Sequence, residues 1–477
     1  MRLMLVGASL LALSLASCEN STPPSSPEAS AEAADWTVST ARQLRAALEK
    51  RAAHGLEHKT FPLPDGTDVS RQGPALTRVA LAYATALARG AADPTKLHAI
   101  YTVPRPAVNL EQGLREALRR NDVDGWLNGL APQDDEYRKL SEIYLALTEK
   151  GRAGDTPTIP ELQRSIRPGD TDSRMPLIEK QLAAFGYLDR VEARQDRYAS
   201  EVVDAVRRMQ LDYGIEPDGV IGADALEILN LSDADRARTL AVEMERRRWL
   251  DRQPPATRID VNIAAAQLAY WRDGSLADVR KVVVGEPETE TPQLGSPIYR
   301  LVANPTWTVP RSIEEKEIAG QGAGYLRRHN MIRKDGWIVQ QPGPENSLGL
   351  VKFDMKNDHA IYLHDTPAKA LFGQVQRQRS HGCVRVEDAL GFAEQLARDE
   401  GVMDQWRAAQ ATGRETFVSL PRAIPVRLIY QTVLFDPKGE PVVRADPYGW
   451  NAPVATALGF STRETRPVKV SNGDVGP

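Results

Sequence analysis

The sequence predicts a multidomain α+β protein in which helical domains come first and a β-rich domain follows. Its 477 residues exceed the length of one ordinary domain, so two to four domains are expected. Between about residues 36 and 231, apolar residues recur at the three- and four-residue steps of amphipathic helices. From about residue 257 to residue 443, alternating apolar residues with frequent Gly and Pro indicate strands and turns.

The composition is that of a soluble globular protein, with 42% apolar and 26% charged residues. A formal net charge of -4 gives no reason to expect a nucleic-acid partner. Nothing in the sequence indicates a cofactor or a metal. The chain contains two cysteines, Cys18 and Cys383, and each needs an explanation.

Residues 1–18 have the layout of a secretory signal, with Arg2, an apolar run and small residues before Cys18. The run is too short for a spanning helix with stop-transfer flanks. The letters "LASC" resemble a bacterial lipobox, which implies that Cys18 is lipidated and becomes the mature N-terminus. The alternative is simple secretion with cleavage nearby. Residues 19–35 are rich in Pro, Ser and Ala and predict a disordered tether.

The expected location is therefore the periplasm, with the protein anchored by lipid to an envelope membrane. No later segment is apolar enough to span a membrane. Glu19 follows the cysteine, and a residue other than Asp at this place favours the outer membrane in many bacteria.

Residues 36–164 predict a helical scaffold domain, and their strongest signal is "DEYRKLSEIYLALTEKG". Apolar residues there recur at three- and four-residue steps, and Gly151 suits a C-terminal cap. The recurring residues are Tyr137, Leu140, Tyr144 and Leu147. This domain contains no catalytic constellation.

Residues 165–231 predict a compact unit of three helices. Two helical faces are expected, followed by a turn through Pro217, Asp218 and Gly219 and a third helix from about Ala223. The faces comprise Ile178, Leu182 and Phe185, ended by Gly186, and Val202, Val206 and Met209.

The words "RPGD", "FGYL" and "PDGVIGADAL" in this unit resemble the peptidoglycan-binding domain of bacterial wall enzymes. The resemblance implies that residues 165–231 bind wall polymer. The alternative is that the unit only spaces its neighbours. Residues 232–256 predict a connecting helix, and residues 444–477 predict a C-terminal tail.

The chemistry of the β-rich domain centres on Cys383. A β-prone run ends at His364, and "SHGC" follows later, before a probable helix with Leu390, Ala393 and Leu396. A cysteine nucleophile acts as the thiolate, and a neighbouring imidazole can take its proton. A glycine at 382 allows close approach of a substrate carbonyl and leaves N–H groups for an oxyanion hole.

The pattern of His364 followed by "SHGCVRV" resembles the signature of the YkuD-type L,D-transpeptidase catalytic family. The resemblance extends over about residues 257–423 and includes "NPTWTVP" and "PGPENSLGLVKF". The whole chain resembles the large YcbB-like subgroup, with a catalytic domain over 257–443. The subgroup implies a mobile capping region over 314–347.

The resemblance assigns Cys383 as the nucleophile and His364 as the general base. It places His381 and Gly382 beside the nucleophile, at the oxyanion hole. These four positions match the signature residue by residue.

Three further residues are expected on the substrate side. Ser380 matches the Ser/Thr position of the signature, and Tyr362 precedes His364 by two residues, so it shares its face on a strand. The guanidinium of Arg385 could bind a substrate carboxylate or amide, and a structural ion pair is equally open.

The family implies an L,D-transpeptidase that forms 3-3 cross-links between peptidoglycan stem peptides, and it implies covalent inhibition by carbapenems. An alternative is a lipid-anchored tether with a dead catalytic domain, against which the His364 and Cys383 pair argues. A papain-like hydrolase is disfavoured because there the cysteine precedes its histidine. A zinc hydrolase is disfavoured because no HExxH motif is present and one cysteine is left for ligation.

The lipobox generates a direct test. Cys18→Ala removes the acceptor of the lipid, so we expect the variant in the soluble periplasmic fraction, whereas the unchanged chain sediments with membranes. Cell fractionation measures the difference. Membrane retention of the variant would contradict lipidation at Cys18.

Overall fold

The computed structural model describes residues 36–461, with residues 67, 153–157, 162 and 191–195 left out. The predicted signal, the lipidation of Cys18 and the tether lie outside the described residues, as does the end of the predicted tail from residue 462. Within the described ranges, no helix is long and apolar enough to cross a membrane. The predicted multidomain α+β class is confirmed.

The first domain consists of helices around one apolar core. It contains α1 (Val38–Glu49), α2 (Val69–Arg89), α3 (Pro94–Leu97), α4 (Leu110–Arg120), α5 (Val123–Leu130) and α6 (Asp135–Arg152). The four periodic residues predicted for α6 are all buried, as expected from their spacing. Gly151 does not end this helix: it lies in the last turn, and α6 continues to Arg152.

A second, smaller core belongs to α7 (Met175–Ala184), α8 (Ser200–Tyr213) and α9 (Ala223–Leu229). The predicted faces point into this core, with Ile178 and Leu182 fully buried and Phe185 partly buried. Gly186 and Gly219 have φ angles of 84° and 75°, which favour glycine and place both turns where the sequence predicts them.

Helix α10 (Asp233–Trp249) follows, and it is more than the predicted connection. It begins with a capping box between Ser232 and Asp235, and most of its length is buried. It packs against α2 and α6 and contributes Leu240 and Trp249 to the core of the first domain. The helix is therefore the central element of that core.

The β-rich domain is built on an eleven-stranded sheet. Its strands are β1 (Arg258–Asn262), β2 (Gln267–Arg272), β3 (Ser275–Gly285), β4 (Leu294–Gly295), β5 (Ile298–Ala303), β9 (Val351–Met355), β10 (Leu363–His364), β11 (Gln378–Ser380), β12 (Val384–Val386), β13 (Thr416–Ile424) and β14 (Val426–Ile429). The strand order is β13-β5-β9-β10-β12-β3-β2-β1-β14-β4, with β11 beside β3. The predicted turn at Asp273 and Gly274 joins β2 to β3, with φ angles of 50° and 83° that suit a tight hairpin.

The capping unit, residues 307–348, forms a separate layer with its own small core. It contains β6 (Trp307–Thr308), β7 (Met331–Lys334), β8 (Trp337–Gln340), α11 (Arg311–Ile313) and α12 (Ala323–Arg328). A π-helical turn (Glu314–Ile318) lies between the two helices. The unit covers the predicted capping region, but its three-stranded sheet begins earlier, at Trp307.

The remaining elements of the described residues are α13 (Ala389–Asp399), α14 (Met403–Ala411), β15 (Val433–Phe435), β16 (Pro441–Val443), α15 (Asn451–Leu458) and two short 3-10 helices, Lys50–His54 and Lys369–Gly373. The probable helix predicted after Cys383 is α13, in which Ala393 and Leu396 are buried.

The C-terminal segment, residues 444–461, is not the predicted tail. Helix α15 packs against α10, and Val454, Ala455 and Leu458 are buried in the core of the first domain. These apolar residues recur at helical spacing, so they form one face of a short helix. The burial of that face explains why the segment is folded.

A buried ion pair within α10 forms further hydrogen bonds to other parts of the first domain, and these hold the helix in place. The guanidinium of Arg248 lies 2.6 Å from Glu245 Oε2, and both side chains are fully buried. Arg248 also donates to the hydroxyl of Tyr137 at 2.7 Å, and Glu245 Oε1 accepts from the amide of Ala92 at 2.7 Å. Because every charge here has hydrogen-bond partners, removal of one partner would leave a buried charge unpaired.

We therefore expect Glu245→Ala to lower the free energy of unfolding of the helical core by about 3–5 kcal/mol. The paired change of Glu245 and Arg248 to Met should cost less, because no charge is left unpaired. Thermal and urea unfolding measure both. Arg138→Ala, which breaks an exposed pair with Asp135, is the control and should cost little. An equal loss in Glu245→Ala and Arg138→Ala would contradict the role of the buried pair.

Candidate active site

Two short parallel strands bring four predicted site residues to one face of the sheet. In the register of β10 and β12, Leu363 pairs with Val384, and both are fully buried in the sheet core. Side chains alternate along a strand, so their neighbours on both sides point to the opposite face. These neighbours are Tyr362, His364, Cys383 and Arg385. The amide of Val384 donates to the carbonyl of Tyr362 at 3.1 Å, which extends the pairing by one residue.

Cys383 is a free thiol with 5% of its surface exposed. Its Sγ lies 3.6 Å from the carbonyl oxygen of Ala360, to which it donates. Burial raises the pKa of Cys383 to about 11, against hydrogen bonds from Tyr362 and the positive charges of Arg385 and Lys352, which lower it. In this conformation the thiol is therefore protonated at neutral pH.

His364 is fully buried, and its orientation is fixed by the backbone of the next residue. Its Nδ1 lies 2.5 Å from the carbonyl oxygen of Asp365. Because a carbonyl only accepts, Nδ1 carries the proton, and Nε2 keeps the lone pair that a general base needs.

The residue that holds His364 is itself well held. Asp365 Oδ2 accepts from the amide of Leu350 at 2.9 Å, and Asp365 also pairs with Lys369. Gly349 has a φ of 60°, and a Cβ there would lie 2.3 Å from Asp365 Oδ2. Only glycine fits this close approach.

The Cys turn, residues 380–383, is closed by the side chain of Ser380. Its hydroxyl donates to the carbonyl of Cys383 at 2.6 Å and accepts from the amide of Gly382 at 3.1 Å. Gly382 has a φ of 112°, which a residue with a side chain rarely adopts.

Two expectations change as a result. The amide of Gly382 already has an acceptor in Ser380, so it does not offer the free oxyanion donor that we predicted. Ser380 is fully buried and closes the Cys turn, so it does not line a substrate groove.

Arg385 and Tyr362 differ in how far substrate can reach them. Arg385 is 1% exposed, and the positive charge of its guanidinium lowers the pKa of Cys383. Its contact with a substrate carboxylate or amide stays a prediction. Tyr362 is partly exposed, and its ring centroid lies 5.7 Å from that of His364. The ring also packs against the core of the capping unit. Tyr362 therefore lies on the predicted side of the strand.

His381 links the Cys turn to the capping unit. Its Nε2 lies 2.8 Å from Oε1 of Glu317, in the π-helical turn. This contact places a carboxylate of the capping unit two residues from the thiol. The side chain of His381 therefore points to the cap.

The sequence reasoning missed several contributors. Lys352 lies within the quoted word "GLVKF" but carried no separate signal. Its Nζ lies 5.1 Å from the ring centroid of Tyr362. Glu317 was one of several charges in the capping region. Thr291 had no signal at all, and its hydroxyl donates to the carbonyl of Gly382 at 2.8 Å.

Across the described ranges of the chain, no group of three or more His, Cys, Asp or Glu side chains is arranged to hold a metal ion. The local chemistry consists of one thiol, one imidazole with a fixed tautomer, and two cations. These are the components of nucleophilic acyl transfer.

Comparison with known families gives three matches. Residues 256–441 match the YkuD family, described as the L,D-transpeptidase catalytic domain. Residues 33–143 match a family described as a scaffold domain, and residues 171–229 match one described as "Putative peptidoglycan binding domain". The resemblances of the sequence motifs to the YkuD catalytic domain and to the peptidoglycan-binding domain are confirmed.

A protein of Haemophilus influenzae named "Putative L,D-transpeptidase" is 31% identical over 223 residues. The match covers 42% of this chain and 45% of that protein, so this chain spans less than half of the relative it matches.

Two solved structures are similar in part. An L,D-transpeptidase from Stackebrandtia nassauensis is 14% identical, with 58% of this chain and 97% of that chain covered and a TM-score of 0.24. The catalytic domain of the E. faecium L,D-transpeptidase acylated by ertapenem is 16% identical, with 37% and 99% covered and a TM-score of 0.21.

The raised pKa of Cys383 predicts its reactivity. In a chain that lacks residues 1–18, iodoacetamide should label Cys383 at a rate that still rises through pH 10, because the thiol titrates at about pH 11. Lys352→Met should raise the pKa further and slow labelling at each pH, because one positive charge near the thiolate is lost.

Mass spectrometry of the labelled protein measures these rates. The urea-unfolded chain is the control, and its thiol should titrate near an ordinary pKa of about 8.5. A labelling rate of the native chain that levels off below pH 9 would contradict the raised pKa.

Proposed function

We propose that the chain forms 3-3 cross-links in peptidoglycan through an acyl-enzyme on Cys383, on the premise that residues 256–441 match the YkuD family, described as the L,D-transpeptidase catalytic domain. The observation that carries the proposal is the shared face of β10 and β12, which presents His364 at the end of β10 and Cys383 directly before β12. The activity is that of a cysteine-dependent acyltransferase in cell wall assembly or remodelling.

The first half-reaction begins at the thiol of Cys383. Its sulfur attacks the carbonyl carbon at the L-centre of the third residue, meso-diaminopimelate, of a tetrapeptide stem. The thiol proton passes to Nε2 of His364. The bond to the terminal D-alanine then breaks, His364 returns the proton to the leaving amine, and a thioester remains on Cys383.

The second half-reaction transfers the acyl group. The side-chain amine of diaminopimelate on another stem attacks the thioester, the carbon–sulfur bond breaks, and the amine proton returns by way of His364 to the thiolate. Water as the acceptor would give carboxypeptidase activity, and a free D-amino acid would give exchange. All three outcomes share the first half-reaction.

Burial explains why base and nucleophile must act together. A lone thiolate is unfavourable at this site, which raises the pKa of Cys383 to about 11. Proton transfer to His364 replaces a lone charge with a thiolate–imidazolium pair, whose mutual attraction offsets part of the desolvation cost. The hydrogen bond from Nδ1–H of His364 to the carbonyl of Asp365 places the basic lone pair of the imidazole on Nε2.

The capping unit supports the proposal by shielding the reaction from water. Its core packs against Tyr362, and Glu317 pairs with His381 beside Cys383. Exclusion of water would favour an amine acceptor, because hydrolysis of the thioester competes with transfer.

We propose that the other domains bring the catalytic domain to its polymer. Residues 171–229 match a peptidoglycan-binding family, so residues 165–231 are proposed to bind wall polymer. The scaffold holds the helical core to which the C-terminal segment attaches. With the lipid anchor inferred at Cys18, this arrangement suits an enzyme of the periplasm held at the outer membrane.

The catalytic pair gives the decisive variants. Cys383→Ala should abolish both cross-linking and D-alanine release from tetrapeptide stems, because both begin from one acyl-enzyme. His364→Ala should lower the rate by about 10²–10⁴-fold and leave a residual rate that rises with pH, as expected when a general base is lost. Muropeptide mass analysis measures both products.

A carbapenem should add once to Cys383 in the soluble chain that lacks residues 1–18, and Cys383→Ala is the control without an adduct. Full cross-linking by Cys383→Ala would refute the catalytic assignment. An unchanged chain that neither acylates nor processes stems would favour the tethering alternative.

A further inference from the structure

The C-terminal segment, residues 444–461, contacts a loop beside the candidate active site. The segment lies beyond the match to the catalytic family, which ends at residue 441. The contact is made by Tyr448. Its hydroxyl donates to the carbonyl of Gly285 and accepts from the amide of Thr291 at 3.3 Å. One phenol therefore closes both ends of the support loop, residues 286–291.

The support loop in turn holds the Cys turn. The hydroxyl of Thr291 donates to the carbonyl of Gly382 at 2.8 Å, directly before Cys383. The hydroxyl of Thr289 donates to the carbonyl of Ser380 at 3.0 Å, and the amide of Glu286 donates to the same carbonyl at 2.9 Å. Both ends of the Cys turn thus rest on this loop.

The backbone of the support loop is closely packed, so the loop has little room to move. A Cβ on Gly285 would lie 2.1 Å from the carbonyl oxygen of Thr289, so the chain folds back on itself as closely as glycine allows. Thr291 is fully buried, and its hydroxyl also accepts from the amide of Gly285 at 2.8 Å.

Tyr448 is itself fixed from the helical side of the molecule. Its amide donates to the hydroxyl of Tyr430 at 3.1 Å, and that hydroxyl donates to Asp446 Oδ1 at 2.5 Å. Asp446 Oδ2 accepts from the amide of Asn451 at 2.7 Å, and Asn451 Oδ1 accepts from Arg246 of α10 at 2.5 Å. A chain of hydrogen bonds thus connects the backbone next to Cys383 with Arg246 in the helical core.

We infer that Tyr448 is a positioning residue, which sets the place of the Cys383 thiol through Thr291 and the backbone of Gly382. The inference rests on the proposed function in that Cys383 is the nucleophile. It assigns a role to the segment after the matched catalytic domain. It also gives the helical core a role in catalysis, because that core holds the segment.

The test compares Tyr448→Phe with Tyr270→Phe, in chains that lack residues 1–18. Both remove one phenol hydroxyl, and Tyr270 bonds to Asp399 at 3.0 Å in the same domain without touching the support loop. Tyr448→Phe should lower the rate constant of carbapenem acylation about tenfold, because a small displacement of the nucleophile slows its attack. The binding constant of the non-covalent complex with the carbapenem should stay unchanged.

A second readout does not depend on the proposed function. Iodoacetamide should label Cys383 about fivefold faster in Tyr448→Phe, because loss of one hydrogen bond loosens the turn that shields the thiol. Tyr270→Phe should match the unchanged chain in both assays. Slower acylation together with faster labelling in Tyr448→Phe, at a thermal unfolding midpoint equal to that of Tyr270→Phe, separates the positioning role from general destabilisation of the domain.

Thr291→Val should likewise slow acylation and speed labelling, whereas Thr291→Ser, which keeps the hydroxyl, should show the rates of the unchanged chain. The double variant of Thr291→Val with Tyr448→Phe should change each rate no more than the more severe single variant does, because both residues act through the same contacts. The inference would be overturned if Tyr448→Phe were labelled and acylated at the rates of the unchanged chain. It would also be overturned if Tyr270→Phe changed both rates as much as Tyr448→Phe does. If the unchanged chain is not acylated, the proposed function fails, and the labelling comparison still decides the role of Tyr448.

Discussion

The active site depends on the parallel pairing of two very short strands, β10 and β12. Two paired residues, Leu363 and Val384, are buried in the sheet core, and this alone directs His364 and Cys383 to the same face. A slip of one residue in either strand would turn its functional side chain into the core.

The rest of the molecule reinforces that register from two directions. From one side, the carbonyl of Asp365 orients the imidazole of His364, and Asp365 is held by Leu350 and Lys369. From the other side, the C-terminal segment links α10 to the loop under Cys383. Placing polar side chains in buried positions is costly unless all are paired, so such networks favour a single arrangement over alternatives.

Much of this fold could be predicted from the sequence because local rules decide it. The buried stripe of α6, the glycine turns of the three-helix unit and the hairpin at Asp273 and Gly274 follow from periodicity and backbone preference. The proposed nucleophile, Cys383, and its proposed base, His364, were indicated by a specific motif. The distant contributors could not be predicted, because Thr291 and Tyr448 act through tertiary contacts across 91 and 163 residues of sequence. Likewise, the free N–H expected at Gly382 was lost to a side chain only two residues away, which spacing does not reveal.

The burial of Cys383 has a further chemical consequence. Oxidants attack the thiolate far faster than the thiol, and the sequence of sulfenic, sulfinic and sulfonic acids begins there. Because burial raises the pKa of Cys383 to about 11, almost none of the thiolate is present at neutral pH in the resting site. The same environment that makes a partner base necessary in the proposed mechanism therefore protects the sulfur from peroxide and from mixed disulfides.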